Sequence, residues 1–475
     1  MAPSAITPPS ESFERTTLPS GNAEIFSNNS HYVEPRASPD TTLDLLCIGF
    51  GPASLAIAIA MKDNLANGPE KKVLFFEKQP KFAWHAGMQL PGARMQISFL
   101  KDLATPRNPR SQFTFINYLF SKGRLNHFIN LGTFLPSRLE YEDYLRWCAS
   151  HFEKEGKVAY GMDVESVQVG EKNAEGKVTS WEVTARDQYG NLIRQKAKHV
   201  VIAVGGRAVI PQKLQGLKHV AHSSQFAVSI KQIQQREQGR KPKFVVLGGG
   251  QSAAEIYNDL SERFPESEVK LVIKGSSLRP SDDSPFVNEI FDPDRVEGIY
   301  NQEPTARAAA LALEKGTNYG VVRLELLEHL YDKLYMQRIH NPDPSTWRCN
   351  IINNRVMTSA EQAEGGAVKL RFASTESCRE GIEEEIKADY VFTATGYRRN
   401  AHEEMLEGVR GLVVEREEGK FAVGRDYGVV FGEGAVEEAG IWLQGCNEKT
   451  HGLSDTLLSI LAVRGGELVS SIFGA

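Results

Sequence analysis

Two glycine clusters in this 475-residue sequence have the residue types and spacing to hold a phosphate-bearing ligand. The first, Gly49-Phe50-Gly51-Pro52-Ala53-Ser54, follows the apolar run 43–48 and leads straight into a segment rich in Ala, Ile and Leu. Strand, glycines, helix is the order in which such a cluster binds a dinucleotide. Gly49 allows the tight turn and Gly51 lets a pyrophosphate approach the backbone. The first helical amides and the positive end of the helix dipole then face the phosphates. Ser54 fills the place of a third small residue. The second cluster, Gly248-Gly249-Gly250-Gln251-Ser252, has the same setting after the apolar run 244–247. One such cluster is common in α/β proteins; two in one chain point to two dinucleotides.

Each cluster is followed by a strand whose last residue suits one nucleotide. Val73–Glu77 ends in an acid, with Lys78 next, and a carboxylate there accepts the ribose hydroxyls of FAD or NAD. Val269–Lys274 ends in a base, which favours the 2′-phosphate of NADPH over NADH. In this order the units read as FAD first and NADPH second. Taken alone, Lys274 is an ordinary solvated lysine. The interval from Gly49 to Glu77 exceeds the usual ~20 residues, and residues 64–72 read as the extra loop.

The elements that must position these clusters describe an α/β chain with two dinucleotide-binding, Rossmann-like domains and a smaller, mostly helical substrate-binding region. Residues 1–40, rich in Ser, Pro, Thr and Asn, read as a disordered tail. Residues 41–210 would form the first part of the FAD domain, and 211–389 the NADPH domain, with a helical substrate segment over 281–345. Residues 390–475 would return to the FAD domain, led by a buried strand at 390–393, and supply a second substrate segment. Within this frame, 82–89 and 95–104 read as loops over a site. A helix is expected over 140–152, and a small antiparallel layer over 164–169, 181–185 and 192–198. A separate buried strand is expected at 199–204, and a last helix at 457–463.

Composition narrows the class. The chain is 41% hydrophobic and 24% charged with a net charge of −5, which offers no electrostatic footprint for nucleic acid or an acidic membrane surface. Five scattered cysteines without a C-x-x-C pair argue against a disulfide framework and against a metal site. A reduced, cytoplasmic compartment is expected. The apolar run 45–61 is short for a membrane span and is interrupted by two glycines and a proline.

Further motifs add specificity: Met95-Gln96-Ile-Ser-Phe-Leu-Lys101-Asp102-Leu-Ala-Thr, Arg279-Pro-Ser-Asp-Asp-Ser-Pro-Phe-Val-Asn288-Glu, Thr317-Asn318-Tyr319, Ala394-Thr395-Gly396-Tyr397 and Thr450-His451-Gly-Leu-Ser-Asp-Thr-Leu457-Leu-Ser459. With the two glycine clusters, they make the chain resemble the fungal L-ornithine N5-monooxygenases, N-hydroxylating flavin monooxygenases of hydroxamate siderophore synthesis. The resemblance runs from Leu43 to Gly474. It implies N5-hydroxylation of L-ornithine with FAD, NADPH and O2 through a C4a-hydroperoxyflavin, in a homotetramer.

The resemblance also implies roles. Lys101 would hold the substrate carboxylate and Asn288 its α-amino or carboxylate end. Asn318, with Tyr319 beside it, would lie near substrate and NADP. The Leu457 carbonyl and Ser459 would receive the side-chain amine. Trp84, His85, Met95, Gln96, Thr395 and Gly396 would sit about the flavin, and Gln251, Ser252 and Lys274 on NADPH. Relatives often carry arginine at the Lys274 position; lysine keeps the charge without the bidentate fork. Without that resemblance, Lys101 would be a surface lysine beside Asp102, and the two asparagines helix caps. The amine must lose its proton to react, and no carboxylate or histidine stands out as the base. Lysine N6-hydroxylation is the near alternative. Baeyer–Villiger or sulfur oxidation, and a flavin redox sensor without turnover, are more distant ones.

Overall fold

A computed structural model describes residues 41–66, 68–376, 381, 383–416 and 419–474; the tail expected at 1–40 lies outside them. The first sheet forms where sequence places unbroken apolar runs. Strand β1 (Leu43–Ile48) lies between β2 (Val73–Glu77) and β6 (Leu192–Ile202), parallel to both, and β3 (Val158–Tyr160) extends the sheet beyond β2. β1 and β2 are buried along nearly their whole length, as central parallel strands covered on both faces must be.

Two helices cover one face, α1 (Pro52–Asn64) and α4 (Arg138–Lys154), with short helices α2 (Phe115–Ser121) and α3 (Leu125–Asn130) between them in sequence. Ser137 caps α4 by accepting from the Glu140 amide, and Tyr141, Tyr144, Leu145, Cys148 and Phe152 recur at helical spacing on its buried face.

The small antiparallel layer is present but not separate. β4 (Asp163–Val169) and β5 (Trp181–Arg186) pair antiparallel, and β5 pairs with the first half of β6. The strands expected separately at 192–198 and 199–204 are one strand, because 192–202 carries no glycine, proline or turn residue to break it. Its second half takes the strand Gly440–Leu443 in parallel, so one edge of β6 serves two partners end to end.

The second domain begins after β7 (Arg207–Ala208). Its sheet is parallel throughout: Cys349–Ile352, β10 (Val269–Val272), β9 (Phe244–Leu247), the strand Tyr390–Thr393 and β8 (Val220–His222), in that order. Helices α5 (Phe226–Arg236), α6 (Gln251–Arg263) and Leu324–His340 pack one face. A three-stranded antiparallel sheet, 355–362, 368–374 and 383–388, packs the other through Val368, Leu370 and Phe372. Tyr390–Thr393, expected to lead back into the first domain, belongs to this sheet. The chain crosses back only afterwards, where Tyr397–Arg398 pairs antiparallel with β7 so that the two connectors run side by side. A second tie is bidentate: Arg138 of α4 meets Glu255 of α6 at 2.8 and 2.9 Å.

The expected helix at 457–463 is displaced. Leu457 is extended, Leu458–Ile460 form a single 3-10 turn, and the helix proper is Leu461–Phe473, packed against α1. Arg464, on its first turns, is buried and donates to the Asp455 carboxylate at 2.8 Å and to the Asp455 carbonyl at 2.6 Å. The other Asp455 oxygen accepts from the Asn447 amide at 2.7 Å. Burial pushes the Asp455 carboxyl up, against the pull of Arg464. Removing one partner leaves an uncompensated buried charge. Arg464→Leu is therefore expected to cost ~3–5 kcal/mol in urea unfolding of the flavin-loaded protein. The double variant Asp455→Asn/Arg464→Leu should cost less than Arg464→Leu alone; an equal or larger cost would show that the two charges do not act as a pair.

Candidate functional site

The two glycine clusters occupy equivalent places. Each sits at the carboxyl end of a central parallel strand, between the ends of its neighbours, the crevice where α/β sheets bind ligands. The Gly49 amide donates to the Phe76 carbonyl at 2.7 Å and the Gly248 amide to the Val272 carbonyl at 3.1 Å. Both residues have positive φ, +91° and +142°. A Cβ on Gly49 would lie 2.6 Å from the Ala203 carbonyl oxygen, and one on Gly248 would lie 2.5 Å from that of Ala394. No other residue type fits either turn.

The second glycine of each cluster is a helix cap without a capping side chain. Gly51 precedes α1 and Gly250 precedes α6, and neither helix carries an acid in its first turn. Pro52 occupies the first turn of α1, where its missing N–H costs nothing, followed by Ala53 and the buried Ser54. The amides that open both helices thus have no side-chain acceptor, as a pyrophosphate site requires. Open space stands over Gly51, where a Cβ would meet nothing within 4 Å. The residues fit two dinucleotides.

Glu77 is buried at the end of β2, and its two oxygens accept the amides of Phe50 and Gln79 at 2.7 and 2.8 Å. It braces the glycine turn, and the two amides fix its carboxylate in place. Lys78 points away, paired with Asp163 at 2.7 Å. Lys274 lies two residues beyond the end of β10 and is exposed. Ser252 opens α6, while Gln251 accepts the Arg323 amide at 2.8 Å and donates to Glu255 at 2.9 Å.

The remaining residues approach from several segments. Trp84 packs edge-on against His85, ring centroids 5.0 Å apart, and 5.9 Å from Tyr141. His85 has φ +46° and retains water access. Crowding in the recess, with Arg138 and Arg399 adding positive charge, pushes its pKa down to about 4. Met95 is buried, and its carbonyl accepts from Arg323 at 2.9 Å; Gln96 beside it is exposed. Thr395 donates to the Val209 carbonyl, and the Gly396 carbonyl accepts from the Val209 amide and His222. These two residues therefore lie in the connector that follows the second sheet.

One apolar cluster joins two of the segments that carry substrate-type residues. Val287, Ile290 and Phe291 pack with Leu311, Leu453 and Leu457, which joins the turn bearing Asn288 to the segment bearing Ser459. Asn288 donates to the Asp283 carbonyl at 2.9 Å, fixing its amide. Lys101 is not paired with Asp102. That acid is buried, accepting the amides of Ala104, Thr105 and Phe115, whereas Lys101 Nζ lies 3.5 Å from Asp292. Gly320 stands against the second glycine turn, 3.5 Å from where a Gly250 Cβ would be. Its neighbour Tyr319 donates to Glu448 of the C-terminal segment. Asn318 therefore lies between the second turn and that segment. Asn318 Oδ1 and Ser459 Oγ are buried with no hydrogen-bond partner. Buried polar atoms of this kind ordinarily have partners, and both are left available to a bound molecule or water.

Three residues escaped the motif reading. Arg323 joins Met95 to Gln251, Glu448 ties Tyr319 to the C-terminal segment, and Asp292 meets Lys101.

His451, in the C-terminal motif, is fully buried against Tyr427, ring centroids 4.2 Å apart. Its nitrogens lie 2.8 Å from Thr450 Oγ1 and 3.1 Å from the Arg425 carbonyl. It is a packed element of the wall. Burial pushes its pKa from 6.5 down to about 4, as it does for His199.

Residues 41–399 match the L-lysine 6-monooxygenase/L-ornithine 5-monooxygenase family. The chain is 49% identical to an L-ornithine N(5)-monooxygenase of Cochliobolus heterostrophus over 94% of its own length and 89% of the relative's. It superposes on an ornithine hydroxylase of Pseudomonas aeruginosa with a TM-score of 0.82 at 35% identity, covering 91% of this chain and 99% of that one. An ornithine N-hydroxylase of Kutzneria sp. 744, in a structure holding reduced FAD, NADP+ and L-ornithine, gives a TM-score of 0.82 at 34% identity, covering 91% and 99%.

Because the folded state keeps His451 neutral while the unfolded chain protonates near 6.5, unfolding takes up a proton between about pH 4 and pH 6.5. The stability this confers is complete above that window and is lost as pH falls through it. Tm should therefore drop as pH falls from 7 to 4.5. His451→Gln should remove about one proton from the uptake near pH 5 and make that drop shallower; an unchanged slope would contradict a neutral buried His451.

Proposed function

From the premise that the chain belongs to the L-lysine 6-monooxygenase/L-ornithine 5-monooxygenase family, we propose that it hydroxylates the N5 amine of L-ornithine, using FAD, NADPH and O2, as the first step of hydroxamate siderophore synthesis. The observation that carries this reading is the pair of uncapped glycine turns at the ends of two parallel sheets, in a chain that also holds a cation, Lys101, beside the turn packed on the C-terminal segment. The balance is one amine, O2, NADPH and a proton giving hydroxylamine, water and NADP+. FAD, when bound, supplies the acceptance of hydride from NADPH and the activation of O2.

The chain's own residues do the rest. Gly49, Gly51 and Glu77 would seat FAD, and Gly248, Gly250, Ser252 and Lys274 NADPH. Lys101 would neutralise the substrate carboxylate, with Asn288 beside it. The amine, ordinarily near pKa ~10.4, must arrive neutral to carry a lone pair. Ser459 Oγ and the Leu457 carbonyl are neutral groups that would orient it without stabilising an ammonium, and burial among Leu453, Leu457 and Phe291 disfavours the charged form.

A cytoplasmic homotetramer is the expected form. No helix among the described residues is long and apolar enough to cross a membrane.

The test is product formation by purified, FAD-loaded protein given NADPH, O2 and either L-ornithine or L-lysine. Hydroxylated ornithine is expected, with little peroxide; preferential hydroxylation of lysine, or peroxide alone with both, would overturn the assignment. In the same assay Lys101→Ala should raise KM for L-ornithine ~100-fold and leave the rate of flavin reduction by NADPH within two-fold. Equal losses in both would remove Lys101 from the substrate end of the site.

A further inference from the structure

We propose that Asp292 receives the α-ammonium group of the substrate, so that Lys101 and Asp292 together hold a free amino acid by its two charged ends. The inference rests on the preceding reading of an amino acid bound at Lys101 and assigns a residue that the reading leaves without a role.

Asp292 is placed by its sequence. Pro285 starts a helical turn at its first position, the run continues unbroken through Asn288 and Glu289 to Phe291, and Pro293 forces Asp292 out of it into an extended conformation. Asp292 therefore follows directly on the element that carries Asn288. That element is anchored against the C-terminal segment through Val287, Ile290 and Phe291 on Leu453 and Leu457. The distance from Asp292 to the segment holding Ser459 is therefore fixed by packing.

The pair geometry suits a third party. Lys101 Nζ and Asp292 Oδ1 are 3.5 Å apart, beyond the 2.7–3.2 Å of a good N–H···O bond. Both side chains keep solvent access, at 32% and 46%. Among the described residues, Lys101 is the cation in ion-pair range of Asp292. An isolated exposed pair of this kind contributes little to stability. It does present a positive and a negative group side by side, at the spacing of the two charges on an amino acid's α-carbon.

A carboxylate laid against Lys101 brings its own α-ammonium beside Asp292, and the four charges alternate in sign. Lys101 alone would satisfy only the carboxylate and leave the α-ammonium without a charged partner. Asp292 thereby selects α-amino acids over ω-amino acids that carry a carboxylate alone.

The experiment compares wild type and Asp292→Asn, both FAD-loaded, on L-ornithine and on 5-aminopentanoate, which keeps the carboxylate and the reacting amine but lacks the α-ammonium. Where 5-aminopentanoate is not turned over, its inhibition constant against L-ornithine takes the place of its KM. Asp292→Asn should lower kcat/KM for L-ornithine roughly 30-fold, mainly through KM, and change the value for 5-aminopentanoate less than two-fold. Flavin reduction by NADPH should stay unchanged. Equal losses on both ligands would mean that Asp292 only orients Lys101, and no loss on either would mean an idle surface pair; each overturns the proposal. If wild type hydroxylates L-lysine instead, the same contrast is read with L-lysine and 6-aminohexanoate. If it hydroxylates neither amino acid, the functional reading falls and this inference with it.

Discussion

The amides that open α1 and α6 leave the ends of two parallel sheets with only glycine, Gly51 and Gly250, at the cap position. Glycine at the cap gives the first amides no side-chain acceptor, at a cost of only a few tenths of a kcal/mol against Ser, Thr, Asp or Asn. Here the acceptor is withheld twice, at equivalent places, while the neighbouring strand ends press so closely that Gly49 and Gly248 cannot be replaced. The sheet order, the brace from Glu77 and the crossing of the two connectors all follow from keeping those amides aimed and uncovered. Pre-set donors of this kind do not have to be reorganised when an anion arrives.

The substrate end is built on the opposite logic. Its residues come from four distant parts of the chain, and no single element holds them. An apolar cluster around Leu453, Leu457 and Phe291 brings two of those parts together, and the buried Asp455–Arg464 pair pins the turn that precedes Leu457 to the final helix. Leu457 and Ser459 can then sit in irregular backbone, off the helix, without losing their position.

Much of the fold was legible because parallel strands buried on both faces announce themselves as short apolar runs, and β1, β2 and β9 lie where those runs lie. Boundaries set by tertiary pairing were not. The residues from Leu192 to Ile202 alternate at first and then become uniformly apolar, which reads as two strands; one strand results because its edge changes partner along its length. Tyr390–Thr393 is apolar enough for either sheet, and only its neighbours decide between them. At the site, glycine clusters and family-like motifs singled out Lys101, Asn318 and Ser459. Lys78, one residue beyond the end of β2, pairs with Asp163. Asp292 and Arg323 were invisible to motif reading because their partners are remote in sequence.

The two-part first domain has a consequence for biosynthesis. β6 finds β1 early, but the strand that completes its other edge, Gly440–Leu443, and the helix that covers α1 follow only after the whole second domain has been made. At ~5–20 residues per second, a nascent chain holds that open edge and the bare apolar face of α1 for on the order of tens of seconds. The second domain, whose strands β8, β9, β10 and Tyr390–Thr393 are contiguous in synthesis, can close within that interval. A ribosome stalled or a message truncated before Gly440 would therefore release a finished nucleotide domain attached to an unfinished, adhesive one. Such a product is a client for chaperones and proteases, and no partial enzyme.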